Sequence, residues 1–322
     1  MDIIEIKNLS RNFKVAKREG SFLKYMFFRK HNIIEAVKDI TFSIQPGELV
    51  GFIGPNGAGK STTIKMMAGI LVPTSGNIKV LDKIPYQNRK TNATNIGVLF
   101  GQRSQLWWDL PVSDTFKLLK KIYKIPDNIF KENTDIYGEI LGIGEFINQP
   151  VRQLSLGQRM RADLCASLLH NPKILFLDEP TIGLDVVVKK QIREMIKDIN
   201  YKKGVTVILT THDMKDIDEI CQRIIMIDKG QIIIDSPTGD VKNRFKGNST
   251  ITVIFDKTPD IFDVHQAESV ELKDNGSAII TFNSSVISSA AIVSDIVTRH
   301  KIIDITIKEP EIDDIIRNLY NQ

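Results

Sequence analysis

The stretch that decides the fold of this chain is Gly54-Pro55-Asn56-Gly57-Ala58-Gly59-Lys60-Ser61-Thr62, which fits the pattern G-x-x-x-x-G-K-[ST]. It follows an apolar run, Glu48–Ile53, and opens a helix-like stretch, Lys60–Leu71. Glycines in such a loop permit positive φ angles and leave backbone N–H groups free to surround phosphate oxygens at a helix start. We therefore predict a phosphate-binding loop in which Lys60 reaches the β- and γ-phosphates and Ser61 supplies a hydroxyl to Mg²⁺.

A second apolar run, Ile174–Leu177, ends in the carboxylates of Asp178 and Glu179. Open α/β sheets bind ligands at the carboxyl ends of their strands, so charged residues at such an end suit a ligand site. We expect Asp178 to hold Mg²⁺ through water and Glu179 to act as the general base that polarises the attacking water. The alternative is a solvated strand end with no chemical role.

Two further polar residues follow apolar strands. His212 comes just after Val205–Thr210, where it could contact a γ-phosphate and respond to hydrolysis. Gln102 comes just after Ile96–Phe100, where its neutral amide could bind Mg²⁺.

The pentapeptide Leu154-Ser155-Leu156-Gly157-Gln158 predicts the start of a helix. Ser155 can cap it, and Gln158, three residues on, completes a capping box. Such boxes are common, but this one lies between the phosphate loop and the carboxylates of Asp178 and Glu179.

Composition excludes several classes of protein. The chain has 322 residues, 42% of them hydrophobic and 25% charged, as in an ordinary globular protein. No apolar run approaches the ~20 residues that cross a bilayer, and the first residues lack a signal-type core, so we expect a cytosolic or peripheral protein. A net charge of +4 gives no general reason to expect nucleic acid as a partner. The two cysteines, Cys165 and Cys221, lack zinc-type spacing and are expected to be small buried hydrophobes.

The chain divides into two predicted domains, residues 1–235 and 236–322. The first alternates strand-like and helix-like patterns, which predicts a largely parallel α/β sheet. It includes expected strands at Ile3–Ile6 and Thr41–Ile44 and helices at Val112–Tyr123 and Phe130–Leu141. The second is predicted to be a small α+β domain. Its expected elements are strands Thr250–Phe255, Ser269–Leu272, Ala278–Phe282 and Ile302–Lys308, a helix Val286–Thr298 and a final helix from Pro310.

Together these motifs resemble the nucleotide-binding subunit of an ATP-binding cassette (ABC) transporter, over residues 1 to about 235. The resemblance implies a P-loop NTPase cassette with a mixed parallel sheet core, an antiparallel β subdomain and a helical signature subdomain. It also implies binding and hydrolysis of ATP with Mg²⁺. The implied roles are adenine stacking by Phe13, the Walker A loop at Gly54–Thr62, the Q-loop at Gln102, the signature loop at Leu154–Gln158, Walker B with the catalytic glutamate at Asp178 and Glu179, the D-loop at Asp185 and the switch histidine at His212.

The family resemblance further implies a head-to-tail homodimer with two ATP molecules at its interface. Ser155 and Gly157 would then face the γ-phosphate held by the other subunit's loop. Leu156 departs from the family pattern, which has glycine at this position. Because position 156 would be the first helical residue, where leucine is a good helix former, we expect the loop to work.

The chain is similar in more detail to bacterial exporter ATPases of the ABC-2 type, through the run Gly101–Pro111. The resemblance implies a separate transmembrane permease contacted by Trp107 and Trp108, and a peripheral position on the cytoplasmic face of the inner membrane. The alternative for the two tryptophans is core packing. Rival functions are a soluble ABC ATPase acting on ribosomes or nucleic acid, and a regulatory module that clamps ATP without hydrolysing it.

A long insertion is expected between the first two strands, at about Val15–Glu35. It carries basic residues interleaved with aromatics, a composition that suits an anionic membrane surface. We expect contact with the membrane or the permease through residues 21–30, or a helix folded onto its own subunit. Nucleic acid is the least expected partner. The C-terminal domain resembles the small tail domain of drug-exporter ATPases, for which dimer stabilisation and regulation both remain open.

Overall fold

A computed structural model of the chain describes residues 2–16, 31–100, 104–244, 248–257, 259, 262–273, 276–283 and 286–308. The chain forms two compact units, Met1–Pro237 and Thr238–Gln322. Gln102, the segment 21–30 and the predicted helix after Pro310 lie outside the described residues.

A six-stranded sheet forms the centre of the first unit. Its strands are β3 (Leu49–Ile53), β5 (Ile96–Phe100), β6 (Ile174–Asp178), β7 (Thr206–Thr210), β8 (Arg223–Asp228) and β9 (Gln231–Pro237). They lie in the order β5-β6-β7-β3-β8-β9; the first five are parallel and β9 is antiparallel to β8. Every residue of β3 and β7 is buried, as expected for parallel strands covered on both faces. The predicted mixed α/β sheet is confirmed.

Helices follow three of these strands, so the connecting loops begin at the carboxyl-end edge of the sheet. They are α1 (Lys60–Met67) after β3, α6 (Val186–Lys203) after β6 and α7 (Met214–Ile220) after β7, with a short helix α2 (Arg89–Ala93) before β5. The loops between strand and helix therefore converge at one edge, where the predicted site residues are found.

The start of the chain forms a second, antiparallel sheet whose strands are longer than predicted. It contains β1 (Ile4–Ala16), β2 (His31–Ile44) and β4 (Ser75–Val80) in the order β2-β1-β4. The prediction of short strands flanking an insertion at 15–35 is wrong at both ends, since Val15 pairs with Asn32 and Ala16 with His31. β-branched residues such as Val15, Ile33 and Ile34 favour extended structure even though all three are exposed here.

A helical region lies between β5 and β6. It contains α3 (Val112–Tyr123), α4 (Asp127–Ile140), a 3₁₀ turn (Val151–Gln153) and α5 (Leu156–Leu168). The predicted bounds of α3 are confirmed. Helix α4 begins three residues earlier than predicted. Pro126 occupies its N-cap position, and an acidic residue, Asp127, suits its first turn. The apolar periodicity used for the prediction begins only at Phe130.

Both cysteines are buried in this first unit, as predicted. Cys165 lies in α5 with no exposed surface, and Cys221 ends α7 with 6% of its surface exposed. Burial raises the pKa of both thiols well above the usual range.

The second unit is an antiparallel sheet with helices, as predicted. Its elements are α8 (Thr238–Arg244), β10 (Asn248–Phe255), β11 (Ser269–Lys273), β12 (Ser277–Asn283), α9 (Ser289–Arg299) and β13 (Ile302–Lys308). The strands lie in the order β11-β12-β10-β13. Ile292 and Ile296 of α9 join the core formed with the sheet. Helix α9 begins three residues later than predicted, because the Ser288 side chain caps it by accepting from the N–H of Ala291.

Candidate nucleotide-binding site

The phosphate loop leaves β3 and enters α1 along a path that only glycine permits at two positions. Gly59 precedes α1 with φ of 114°, and a Cβ there would lie 2.5 Å from the carbonyl oxygen of Ala36. A Cβ on Gly54 would lie 2.1 Å from the carbonyl oxygen of Ile227. The loop is therefore held close to its neighbours and presents its backbone at the start of a helix, where N–H groups favour anions.

Lys60, the first residue of α1, lies inside this loop. Its Nζ donates to the carbonyl oxygens of Gly54 at 2.5 Å and Pro55 at 3.1 Å. Burial lowers the pKa of Lys60, while the carboxylates of Glu179 and Asp178 oppose that shift. An ammonium group with reduced hydration at the centre of the loop suits the binding of phosphate oxygens.

Asp178, at the end of β6, accepts hydrogen bonds from two hydroxyl groups, one on each carboxylate oxygen. Ser61 Oγ lies 3.1 Å from Asp178 Oδ2, and Thr210 Oγ1 donates to Asp178 Oδ1 at 2.5 Å. Thr210 stands directly beside Asp178 because β6 and β7 pair in register at these two residues. Carboxylate and hydroxyl oxygens are the ligand types that Mg²⁺ prefers, so this pair of residues fits the predicted ion.

Glu179 and His212 are in contact. Glu179 has a φ of 55°, and its N–H donates to the carbonyl oxygen of Thr210 at 2.9 Å. His212 Nδ1 lies 3.0 Å from Glu179 Oε1, and Nδ1 carries the hydrogen in this contact because a carboxylate only accepts. The positive φ and the histidine together fix the direction in which this carboxylate points.

A cavity of about 250 Å³ brings the phosphate loop and the strand-end carboxylates together. It is lined by Asn56, Gly57, Gly59, Lys60, Ser61, Thr62, Asp178 and Glu179. Residues more than a hundred positions apart in the sequence thus face one space, as the strand-end argument predicts.

Several residues of the site escaped the sequence argument. Asp216, in α7, is completely buried and its Oδ2 accepts from Thr181 Oγ1 at 2.6 Å and from Thr211 Oγ1 at 2.8 Å. Arg193 of α6 donates to its Oδ1 at 2.9 Å. Asp216 therefore connects the segment just after Glu179, through Thr181, to the segment just before His212, through Thr211. The pair Thr210-Thr211 at a strand end, directly before a histidine, was the available signal.

The pentapeptide starts α5 as predicted. Ser155 Oγ accepts from the N–H of Gln158 at 3.2 Å, and Gln158 Oε1 accepts from the N–H of Ser155 at 2.9 Å. Leu156 is the first helical residue and its side chain is 40% exposed. A Cβ on Gly157 would lie 3.0 Å from Cγ1 of Val188 in α6, so the loop lies close to the start of that helix.

Asp185 caps α6, and its Oδ1 accepts from the N–H groups of Val187 and Val188 at 3.0 Å each. Just before it, Gly183 approaches the pentapeptide, since a Cβ there would lie 3.2 Å from Leu156 Cδ2. The residue that departs from the family pattern is thus packed beside this loop.

Phe13 lies on β1, opposite Ile34 of β2. The guanidinium carbon of Arg11 is 4.7 Å from the centre of its ring. Ala36, two residues after Ile34 in β2, has the carbonyl group that lies close to Gly59. Phe13 is therefore on a strand pair that borders the phosphate loop.

Trp107 and Trp108 are exposed, by 42% and 54%. The alternative of core packing is wrong for both residues. The guanidinium carbon of Arg159, in α5, lies 5.8 Å from the centre of the Trp108 ring.

Comparison with known proteins agrees with this geometry. Residues 37–182 match the family model described as ABC transporter. The uncharacterized ABC transporter ATP-binding protein YhcH of Bacillus subtilis is 32% identical over 72% of this chain and 68% of its own length. The chain belongs to the ABC transporter ATP-binding family.

Two further similarities are to another ATP-binding protein and to a solved ABC cassette. The linearmycin resistance ATP-binding protein LnrL of Bacillus subtilis is 34% identical over 67% of this chain and 68% of its own length. The dimeric, post-hydrolysis structure of the ATP-binding cassette MJ0796 bound to ADP and Pi has a TM-score of 0.60 and 26% identity. It covers 73% of this chain and 98% of the cassette. The ABC chain described here is accordingly an ATPase. In the ranges that the structure describes, none of its helices is both long and apolar enough to cross a bilayer.

Proposed function

We propose that this chain is the ATP-binding and ATP-hydrolysing subunit of a membrane exporter, and that ATP binding closes a homodimer around two nucleotides. The observation that carries the proposal is the contact between His212 Nδ1 and Glu179 Oε1, at 3.0 Å, beside the cavity that also contains Lys60. We assign nucleotide binding to the first domain, predicted as residues 1–235 and compact over Met1–Pro237. The α+β domain, predicted as 236–322, stabilises the dimer or regulates it.

Phosphate binding relies on the loop Gly54–Thr62. Its N–H groups and the helix start attract the phosphate oxygens, and Lys60 exchanges its bonds to the loop carbonyls for bonds to the β- and γ-phosphates. Ser61, Asp178 and Gln102 would hold Mg²⁺, which neutralises phosphate charge when bound. Phe13 stacks on the adenine, and the guanidinium of Arg11 lies over the Phe13 ring.

Hydrolysis relies on Glu179 and His212. Glu179 accepts the proton of the attacking water as general base. The Nδ1–H of His212 orients this carboxylate and stabilises its charge, and the histidine is placed to contact the γ-phosphate. Thr210 holds the backbone of Glu179 and the carboxylate of Asp178 at the same time, so the two acids keep a fixed distance.

The signature residues act on the second subunit. Ser155, Gly157 and Gln158 face the γ-phosphate held by the partner's phosphate loop, and Asp185 lies at the same interface. The dimer seen for the MJ0796 cassette supports this arrangement. Because the two subunits are identical, each site receives the same leucine at position 156.

The membrane partner is a separate transmembrane permease on whose cytoplasmic side the dimer sits. Trp107 and Trp108 are the proposed anchors, since exposed aromatics are typical centres of binding surfaces. Export is favoured by the exporter-like run Gly101–Pro111 and by the similarity to a resistance protein. Residues 21–30 add a basic and aromatic contact to the membrane surface; unchanged recruitment and transport after deletion of Ser21–Lys30 would contradict this contact.

Affinity purification from detergent-solubilised membranes tests the assignment. The tagged chain is expected to bring down a membrane-spanning protein, and the double variant Trp107→Ala/Trp108→Ala should bring down much less. Sedimentation with ribosomes, with no membrane protein captured, would favour the soluble ATPase instead. Transport assays in inverted vesicles would then establish direction, because an exporter accumulates substrate inside them.

A further inference from the structure

The tryptophan segment, defined as residues 104–111, is tied to α5, the helix that begins with the signature loop. The tie centres on Asp163, in the middle of that helix and almost fully buried. Asp163 Oδ1 accepts from Ser104 Oγ at 3.0 Å and from the N–H of Gln105 at 2.9 Å. In return, Gln105 Nε2 donates to the carbonyl oxygen of Asp163 at 2.9 Å.

The far end of the tryptophan segment is held by the turn that leads into the same helix. The N–H of Arg152 donates to the carbonyl oxygen of Trp108 at 3.0 Å, and the N–H of Val151 donates to that of Leu110 at 3.1 Å. The Arg152 guanidinium lies 3.1 Å from Asp109 Oδ1. The segment is thus held by hydrogen bonds at two places. One of them centres on Asp163, through both its carboxylate and its backbone carbonyl.

A cavity of about 320 Å³ opens on one side of Asp163. Its walls include Ser104, Leu156 and Asp163. On that side the hydrogen bonds of the carboxylate connect the segment to the helix, while Leu106 of the same segment is buried. An α-helix is a stiff rod of about 1.5 Å per residue, so a displacement of Ser155 reaches Asp163 about 12 Å away with little loss.

We propose that Asp163 is a positioning residue that fastens the tryptophan segment to the signature helix, so that movement of the signature loop is passed to Trp107 and Trp108. The inference rests on the proposed function only in attributing that movement to ATP-driven closure. The fastening itself is a property of the single subunit. No contact of Asp163 with nucleotide is required.

The chain provides its own reporter, because its only two tryptophans are Trp107 and Trp108. Fluorescence excited selectively in tryptophan therefore reports on this segment alone. Three variants are compared with the unmodified chain. Asp163→Leu removes the carboxylate acceptor, and Asp163→Asn keeps a side-chain carbonyl oxygen of the same shape. Ser104→Ala removes the hydroxyl that donates to Asp163 and accepts from the N–H of Leu106, without changing the helix. Ser167→Ala is the matched control, since this buried hydroxyl of the same helix bonds within the helix to Leu164.

The first measurement needs no nucleotide. Acrylamide quenching should rise at least twofold in Asp163→Leu and by a smaller amount in Ser104→Ala, and should stay unchanged in Asp163→Asn and Ser167→Ala. Equal quenching in all variants would overturn the fastening. If Asp163→Leu does not fold, as judged by circular dichroism, Ser104→Ala and Asp163→Asn decide the outcome.

The second measurement adds ATP and Mg²⁺ to each variant in a Glu179→Gln background. Dimer mass by light scattering reads the proposed function, and the change in tryptophan emission reads the coupling. We expect Asp163→Leu to form dimers while its emission change falls at least threefold, with Asp163→Asn restoring it. The coupling would be overturned if Asp163→Leu formed dimers and kept the full change in emission. It would also be overturned if the Glu179→Gln chain without further substitution formed dimers and showed no change in emission. Absence of dimers in every variant would instead count against the proposed function and leave the quenching result to judge Asp163.

Discussion

His212 Nδ1 lies 3.0 Å from Glu179 Oε1, although the two residues come from loops after different strands. The strands are neighbours, β6 and β7, and Asp178 pairs with Thr210 at their ends. The contact is therefore a consequence of strand order, and it gives the carboxylate a fixed direction before any substrate arrives.

Replacing Glu179 by glutamine removes the proposed base while keeping the shape of the side chain. We expect Glu179→Gln to lower the ATPase rate by at least about 100-fold, because general-base catalysis contributes 10²–10⁴-fold. ATP should still bind, and ATP-bound dimers should accumulate. Phosphate release and light scattering measure the two effects. Glu194→Gln, an exposed carboxylate of α6, is the control; equal rates for both variants would contradict the assignment.

Replacing Thr210 by valine removes the hydroxyl that donates to Asp178 and accepts from the N–H of Glu179 at 3.2 Å. Hydrogen bonds to charged groups contribute about 1.5–3 kcal/mol, so we expect the ATPase rate to fall roughly tenfold or more. Thr206→Val, on the same strand, loses a hydroxyl that accepts from the N–H of Gly47, away from the site. Both threonines are fully buried, so similar losses of thermal stability are expected. A rate loss shared by Thr206→Val would show that stability, and not the site, is responsible.

The departure at Leu156 is expected to be mild. Leu156→Gly should change the ATPase rate by less than about tenfold, or ~1.4 kcal/mol, since position 156 is an ordinary helical residue. Gly157→Asp should abolish activity, because a Cβ there already lies 3.0 Å from Val188 and the carboxylate would face phosphate. Steady-state ATPase assays at saturating ATP compare the two variants. Full activity in Gly157→Asp would contradict the two-subunit clamp.

Asp163 is expected to make the stability of the first unit depend on pH. Burial raises its pKa from an ordinary value near 3.8 to about 6, although hydrogen bonds from Ser104 and Gln105 oppose that shift. The folded chain therefore binds a proton more tightly than the unfolded chain. This contribution to stability is complete below about pH 4 and is lost as the pH rises through about 6.

Urea unfolding followed by tryptophan emission measures this effect. Between pH 7.5 and pH 5 the contribution should grow by roughly one pKa unit, about 1.4 kcal/mol. Asp163→Asn cannot titrate, so the free energy of unfolding of the unmodified chain should rise relative to this variant as the pH falls. A constant difference between the two across this range would contradict the assignment.

The sequence predicts much of this fold because its strands are buried on both faces and its glycines are required by close contacts. Apolar runs locate β3, β6 and β7, and the pattern around Lys60 locates the phosphate loop. The same reasoning fails where burial does not shape the pattern. Ile33 and Ile34 extend β2 while remaining exposed, so the sequence pattern there does not predict a strand. Contacts between distant positions are also invisible to it. Thr210 meets Asp178 through strand register, and Asp163 meets Ser104 across 59 positions of sequence.

The burial of both native thiols makes the chain ready for site-specific spectroscopy without prior engineering. Cys165 and Cys221 have almost no accessible surface, and their raised pKa values leave little thiolate to react with a maleimide or a spin label. A cysteine introduced at Tyr201, whose side chain is 87% exposed on α6, would be the site that such reagents modify. In a homodimer one substitution supplies two identical labels. Pulsed electron resonance could then measure the distance between them as nucleotide is added.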